Sequence, residues 1–216
     1  MLMLGVVAAQ ILLVTLVSSS ISDFSQNIPF YQERLKGLTV ESLGVLSRYG
    51  VEVDTGKLAD SLDPGRIMSL VANTLNGLGN VLTNTFFVFL TLIFILSEAS
   101  GFPSKLKAIL VQDESGMEKY AEMTSGVNRY LGMKTLTSLA TGLTVAIWLA
   151  VQGVDYPMMW GVFAFLLNYI PTIGSIIAAL PAVLLALIQL GPVSAGIAGI
   201  GFLLVNTLIG SVIEPK

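Results

Sequence analysis

Four stretches without a single charged residue constrain the fold more than any other feature: 1–22, 67–97, 135–154 and 156–213. Each reaches the roughly 20 apolar residues that a helix needs to cross a bilayer. The last stretch would be roughly 87 Å long as one helix, so it must fold back on itself. Hydrophobic residues make up 54% of the chain and charged residues only 12%, against about 25% charged residues in soluble domains. The sequence therefore predicts an all-α, polytopic transmembrane helical bundle with amphipathic surface helices.

Residue types that the chain lacks exclude several kinds of site. The sequence contains no His and no Cys, so it offers no His or Cys zinc site, no haem or iron–sulfur ligands and no Ser-His-Asp triad. The basic residues are scattered and the net charge is −3, which leaves no polybasic face for nucleic acid. We expect no enzyme, no cofactor, no metal and no nucleic-acid partner. The expected partners are the lipid bilayer and a small-molecule or ion substrate, and a homo-oligomer stays open.

The charged sections between these stretches divide the chain into five parts. Residues 1–22 are expected to form a transmembrane helix, and 23–66 an extramembrane amphipathic section. A helix over 67–97 is expected to lead from the membrane surface into a span, because apolar residues follow helical spacing there. Residues 98–134 are typical of an interfacial helix section, and 135–216 of further transmembrane helices.

The two ends of the chain predict a fragment. The N-terminal run lacks the basic start of a signal peptide, since the first basic residue is Arg34. A span that begins at residue 2 has no flanking anchor before it. At the other end, Glu-Pro-Lys directly follows a hydrophobic run with no polar tail.

Proline and glycine interrupt the last uncharged stretch. Pro171 removes a helical donor and disfavours helix at Ile170, which predicts the end of a segment over 157–170. That segment would be about 21 Å long, less than the roughly 30 Å hydrocarbon core, whereas 172–190 and 193–213 are long enough to cross. Non-helical backbone at membrane depth is tolerated only where protein or water surrounds it.

This interruption at 168–175 is the candidate functional element, because secondary transporters place substrate and ion sites at short, Pro/Gly-broken segments. A plain interhelical turn at the membrane surface is the alternative. Polar residues inside spans also serve as interhelical hydrogen-bond partners, and Glu214 is either a helix-end residue in the headgroup zone or a proton or cation site. The candidate pathway residues are Asn168, Tyr169, Pro171, Thr172, Gly174, Ser175, Asn206 and Glu214.

Small residues at four-residue steps predict close helix packing rather than a site. Gly142 with Ala146 forms one such face, and Ala195 with Gly199 forms another. Small side chains allow two membrane helices to approach closely.

The block Phe165-Leu-Leu-Asn-Tyr-Ile-Pro-Thr-Ile-Gly-Ser175, followed by Ala178-Ala-Leu-Pro-Ala182, resembles the autoinducer-2 exporter family of bacterial permeases. Gly153-Val-Asp-Tyr-Pro157 resembles the short turn of that family, and 206–216 resembles its next helix. The resemblance implies a multi-pass permease of the bacterial plasma (inner) membrane that exports a small signalling molecule or, in some relatives, exchanges sodium for protons. It also implies that the first hairpin of the family and a later helix are missing here.

The resemblance places 98–134 in the cytoplasm and 23–66 outside, whereas Lys and Arg are equally numerous in the two sections, so the positive-inside rule does not choose. The leading hypothesis is a secondary transporter whose break at 168–175 is the substrate or ion element. The alternative is a non-transporting membrane scaffold or assembly subunit whose broken helix is a bend. An intramembrane hydrolase is disfavoured, because the chain has no His and no paired intramembrane Asp.

Overall fold

The structure, a computed structural model, describes residues 2–48, 63–98, 114–170 and 173–213. Within these ranges the chain forms six helices and no strand, which confirms the predicted all-α fold. The helices are α1 (Leu2–Arg48), α2 (Pro64–Glu98), α3 (Glu114–Gln152), α4 (Pro157–Leu167), α5 (Ile173–Leu190) and α6 (Pro192–Ile213). Three described segments are long and apolar enough to cross a membrane: Val7–Glu41, Ser125–Gln152 and Pro192–Gly210. The chain is a multi-pass membrane protein.

Helices α1 and α2 pack as an antiparallel pair along a seven-residue apolar repeat. Such a repeat keeps one apolar seam facing the partner helix. A Cβ on Gly79 would lie 2.9 Å from Cδ1 of Ile21, which sets the register of the two helices. The seam residues are buried and spaced by seven: Val17, Phe24 and Tyr31 on α1, and Met68, Leu75 and Leu82 on α2.

Local sequence signals explain where α2 begins, whereas α1 continues past a proline. The Oδ1 atom of Asp63 accepts a hydrogen bond of 2.8 Å from the amide of Gly65. Pro64 occupies the first helical position, where the backbone N–H that proline lacks would have no partner within the helix. In contrast, α1 continues through Pro29 to Arg48. The change from uncharged to charged residues at 22–23 therefore lies inside one helix, and the change at 134–135 lies inside α3 in the same way.

Helices α3 and α4 are the most closely packed pair. A Cβ on Gly161 would lie 2.6 Å from the carbonyl oxygen of Gly142 and 2.7 Å from Cβ of Ala146. This contact confirms the close-packing face predicted for Gly142 and Ala146. On the second predicted face Ala195 is buried, and a Cβ on Gly199 would lie 3.9 Å from a methyl of Val183, so α5 and α6 meet there at ordinary contact distance.

Helices α4 and α5 form a short hairpin whose outer ends lie together. The turn before α4 uses positive φ at Gly153 and Tyr156, and Gly191 (φ 91°) separates α5 from α6. The amide of Asp155 donates a 3.0 Å hydrogen bond to Oε1 of Gln189, which joins the two ends. With 11 residues, α4 extends roughly 16 Å. Helix α4 is therefore too short to cross a hydrocarbon core of roughly 30 Å, whereas α5, with 18 residues, extends roughly 27 Å.

The interruption predicted at Ile170–Pro171 lies at the tip of this hairpin, although α4 already ends at Leu167 rather than at residue 170. Residues 168–170 form tight turns instead of continuing the helix. Pro181 lies inside α5 without ending it.

Candidate functional site

The hairpin tip, defined here as residues 168–175, satisfies its described backbone amides by local turns. The amides of Asn168, Tyr169 and Ile170 donate to the carbonyls of Ala164, Leu166 and Leu167 at 3.0, 3.4 and 2.9 Å. The amide of Gly174 donates to the carbonyl of Ile170 at 3.2 Å. These i→i−3 and i→i−4 bonds close the turn, so each of these four amides has a backbone partner.

Two side chains at the tip bind α3. Nδ2 of Asn168 donates a 3.0 Å hydrogen bond to Oγ of Ser138, and the Tyr169 hydroxyl donates a 2.9 Å hydrogen bond to Oγ1 of Thr135. The ring of Tyr169 also packs edge-on against Phe165, with centroids 5.8 Å apart. These contacts fix the tip against one helix through exchangeable polar bonds.

Gly174 is required by the close approach of α5 to the end of α4. A Cβ at this position would overlap the carbonyl oxygen of Leu167. Because this neighbour is backbone, it cannot move aside as a flexible side chain could. The tip is thus a compact turn, and steric crowding is the reason why residue 174 is a glycine.

The structure describes two of the remaining predicted pathway residues. Ser175 lies half-buried at the start of α5. Asn206 lies half-buried on α6, roughly 21 Å along the helix from Pro192. Pro171, Thr172 and Glu214 lie outside the described residues.

A polar face on α3, missed by the sequence reasoning, lies directly beside the tip. Its side chains are buried although they are polar: Lys134, Thr137, Ser138 and Thr141. The hydroxyls of Thr137 and Thr141 donate to carbonyls of their own helix at 2.9 Å. These residues are three or four positions apart, which is the spacing of one helical face, and this spacing is the sequence signal that could have identified the face. The charge pattern of the sequence instead places Lys134 in the charged surface section that it ends.

A second polar cluster ties α1 to the opposite end of the α4–α5 hairpin. The Tyr31 hydroxyl donates a 2.8 Å hydrogen bond to Oδ2 of Asp155, and Nδ2 of Asn27 donates to the Tyr156 hydroxyl at 3.0 Å. The guanidinium of Arg34 donates to the carbonyls of Ile188 and Gln189 at 3.3 and 3.0 Å.

This second cluster contains two charged side chains, those of Arg34 and Asp155, and both residues are exposed. A cation at the last carbonyls of α5 also suits the negative end of the helix dipole. The sequence contained a signal for this cluster, because Asp155 is the only charged residue between 135 and 213. A cavity of about 370 Å³ lies next to Arg34, between α1 and the end of α5.

The described residues hold no group of three or more acidic side chains arranged to bind a metal ion. The described polar side chains at the tip are hydroxyls and an amide. Such groups can exchange hydrogen bonds with water or with a solute.

The family model described as AI-2E family transporter matches residues 1–216. The chain belongs to this family. It is 33% identical over 215 residues to the "AI-2 transport protein TqsA" of Escherichia coli (strain K12), in an alignment that covers 100% of this chain and 62% of the relative. It is 36% identical over 211 residues to a "Putative transport protein" of Haemophilus influenzae, covering 94% of this chain and 60% of that protein.

A more distant relative is similar over almost the same length. The "Putative transport protein YueF" of Bacillus subtilis (strain 168) is 22% identical over 214 residues, with 93% of this chain and 57% of the relative covered. The chain thus spans about three fifths of the length of these relatives. The resemblance drawn from the block at 165–182 is confirmed.

Proposed function

We propose that the chain is the part of a bacterial plasma-membrane permease that carries its solute-binding element, and that the permease exports a small signalling molecule of the autoinducer-2 kind or exchanges ions. The match to the AI-2E family transporters and the names of the relatives as transport proteins support this proposal. In the proposed orientation 98–134 faces the cytoplasm and 23–66 faces outside. The tip of the hairpin then points toward the cytoplasm.

The observation that carries the proposal is the polar contact between the tip and α3 at membrane depth. The α4–α5 hairpin starts and ends on one side, and its first helix, α4, is too short to cross the hydrocarbon core. Irregular backbone at such a depth needs protein or water around it. Here the tip is bound by hydroxyls of α3 rather than by apolar side chains.

Replacing these hydrogen bonds by hydrogen bonds to a solute costs little free energy. A neutral hydrogen bond contributes about 0.5–1.5 kcal/mol net, so a solute that offers equivalent donors and acceptors can replace the bonds of Asn168 and Tyr169. The close packing of Gly142 against Gly161 holds α3 and α4 together nearby. We therefore assign the substrate or ion element to residues 168–175, where the tip can exchange its hydrogen bonds while α3 and α4 stay packed together. Asn206 and Glu214 would lie further along the pathway.

The test is the double variant Asn168→Ala, Tyr169→Phe in the full-length permease. We expect flux of autoinducer-2, or of sodium, across inverted membrane vesicles to fall at least about tenfold, because the site loses both of its exchangeable contacts. The folded yield in detergent should stay close to normal, since each lost bond is worth only about 0.5–1.5 kcal/mol.

The matched control is Thr144→Ala, which removes an exposed hydroxyl of α3 that donates only to Ala140 of its own helix. Normal yield together with normal flux in the double variant would remove the tip from the transport pathway. The non-transporting scaffold would then be the better account. Gly174→Ala is unsuitable for this comparison, because its methyl group would collide with the Leu167 carbonyl.

A further inference from the structure

Helices α1 and α2 form one packed unit, and α3–α6 form a second. Among the described residues, the contacts between the α1–α2 pair and the other four helices are made chiefly by α1, on α4 and α5. Helix α4 also packs closely on α3, where Gly161 meets Gly142. The α4–α5 hairpin therefore belongs to the second unit, and α1 is the helix of the first unit that packs on it.

A polar face of α1 joins this helix to the outer end of the hairpin. Asn27, Tyr31 and Arg34 are three and four residues apart, so they lie on one face of α1. We call these three side chains the latch. Asn27 donates to the Tyr156 hydroxyl at 3.0 Å, and Tyr31 donates to the Asp155 carboxylate at 2.8 Å. Arg34 donates to the last carbonyls of α5.

The bonds of the latch can open without disturbing the packing inside either unit. Asn27, Arg34 and Asp155 are exposed, so water can replace their bonds when the two units part. Directly beneath the latch, the ring of Phe24 is fully buried. It stacks on the Tyr31 ring with centroids 5.4 Å apart and meets the Tyr156 ring edge-on at 6.2 Å. The latch thus covers an apolar contact that is exposed only when α1 moves away.

We propose that the latch is the outer gate of the permease, and that transport requires α1 to part from the outer end of the α4–α5 hairpin. This inference rests on the proposed function, in which the tip at the other end of the hairpin binds the solute. In secondary transporters one unit characteristically rocks against another around a fixed site. A contact that forms in only one of two states shifts the population toward that state. The latch therefore favours the state that is closed to the outside.

The first test locks the latch by a reversible cross-link in the full-length permease. The chain has no native cysteine, and any cysteine outside it is replaced. Asn27→Cys and Tyr156→Cys are joined in intact cells by a bis-methanethiosulfonate reagent long enough to replace the two side chains. Flux is then measured in inverted vesicles. The matched control is the pair Gln32→Cys, Gly65→Cys, which joins α1 to α2 within one unit, because a Cβ on Gly65 would lie 3.9 Å from Nε2 of Gln32.

We expect the cross-link across the latch to reduce flux at least about tenfold, because the two units can no longer move against each other. Cleavage of the cross-link by a reductant should restore flux, and the control cross-link should leave flux unchanged. Unchanged flux in a permease whose latch is completely cross-linked would refute the gate. The tip would then remain the solute-binding element, since its own test is the double variant at Asn168 and Tyr169.

The second test detects opening without measuring flux. Phe24 is 0% exposed, so the thiol of Phe24→Cys should react with an impermeant methanethiosulfonate, added to intact cells, only while α1 is parted from the hairpin. Adding Tyr31→Phe removes the bond to Asp155 and should raise the rate about threefold to tenfold. The control thiol is Leu149→Cys, which is equally buried on α3 and should not respond to Tyr31→Phe. A rate at Phe24→Cys that stays unchanged, or that rises equally at Leu149→Cys, would contradict the gate.

Discussion

Replacing Gly161 by alanine should separate α3 from α4. The added methyl group would lie 2.6 Å from the carbonyl oxygen of Gly142 and 2.7 Å from Cβ of Ala146. An ordinary contact needs 3.4 Å or more, so the two helices must move apart by about 0.8 Å. Overpacking of this kind costs about 1–3 kcal/mol, and the gain in helix propensity from glycine to alanine offsets up to about 1 kcal/mol. We expect a net loss of about 1–2 kcal/mol in the free energy of unfolding.

The assay for Gly161→Ala is unfolding of the purified protein in detergent, followed by tryptophan fluorescence. Trp160 is adjacent in sequence and fully buried, so its emission reports this contact. The control is Gly132→Ala on α3, where nothing lies within 4 Å of the new methyl group; it should be neutral or slightly stabilising. If Gly161→Ala proved as stable as Gly132→Ala, the close packing of α3 on α4 would be refuted.

Two further predictions concern the outer cluster and the orientation. Tyr31→Phe removes the hydrogen bond to Asp155 and should lower the free energy of unfolding by about 1 kcal/mol, measured by thermal unfolding in the same detergent. The control is Lys36→Gln, which changes an exposed side chain further along α1 and should leave the free energy of unfolding unchanged. Equal stability of the two variants would contradict the role of the cluster. For orientation, an impermeant maleimide added to intact cells should label Ser61→Cys and not Ser115→Cys, and equal labelling of both would overturn the proposed topology.

The positions of some helix ends could be predicted because they depend on local chemistry, although Pro29 and Pro181 lie inside helices. Proline lacks an amide donor and glycine tolerates positive φ wherever they occur in a chain. The start of α2 at Pro64, the start of α4 at Pro157 and the separation of α5 from α6 at Gly191 all follow from these properties. The tip could be located at Ile170–Pro171 for the same reason.

The sequence also determined that the chain must be a membrane bundle of helices, because its long uncharged stretches have no other way to satisfy their backbone in lipid. It did not determine which polar residues face inward. Lys134 belongs to a charged section by sequence and to a buried face by structure, since burial depends on the helix packed opposite.

The tertiary structure alone decided how distant residues combine. It brought Asn168 to Ser138, and Tyr31 to Asp155, across separations of 30 and 124 residues. No periodicity within one helix encodes such pairings, because they depend on the register and depth at which whole helices pack. Close approach at Gly142 and Gly161 sets that depth for α3 and α4, and the hydroxyls of α3 meet the tip as a consequence.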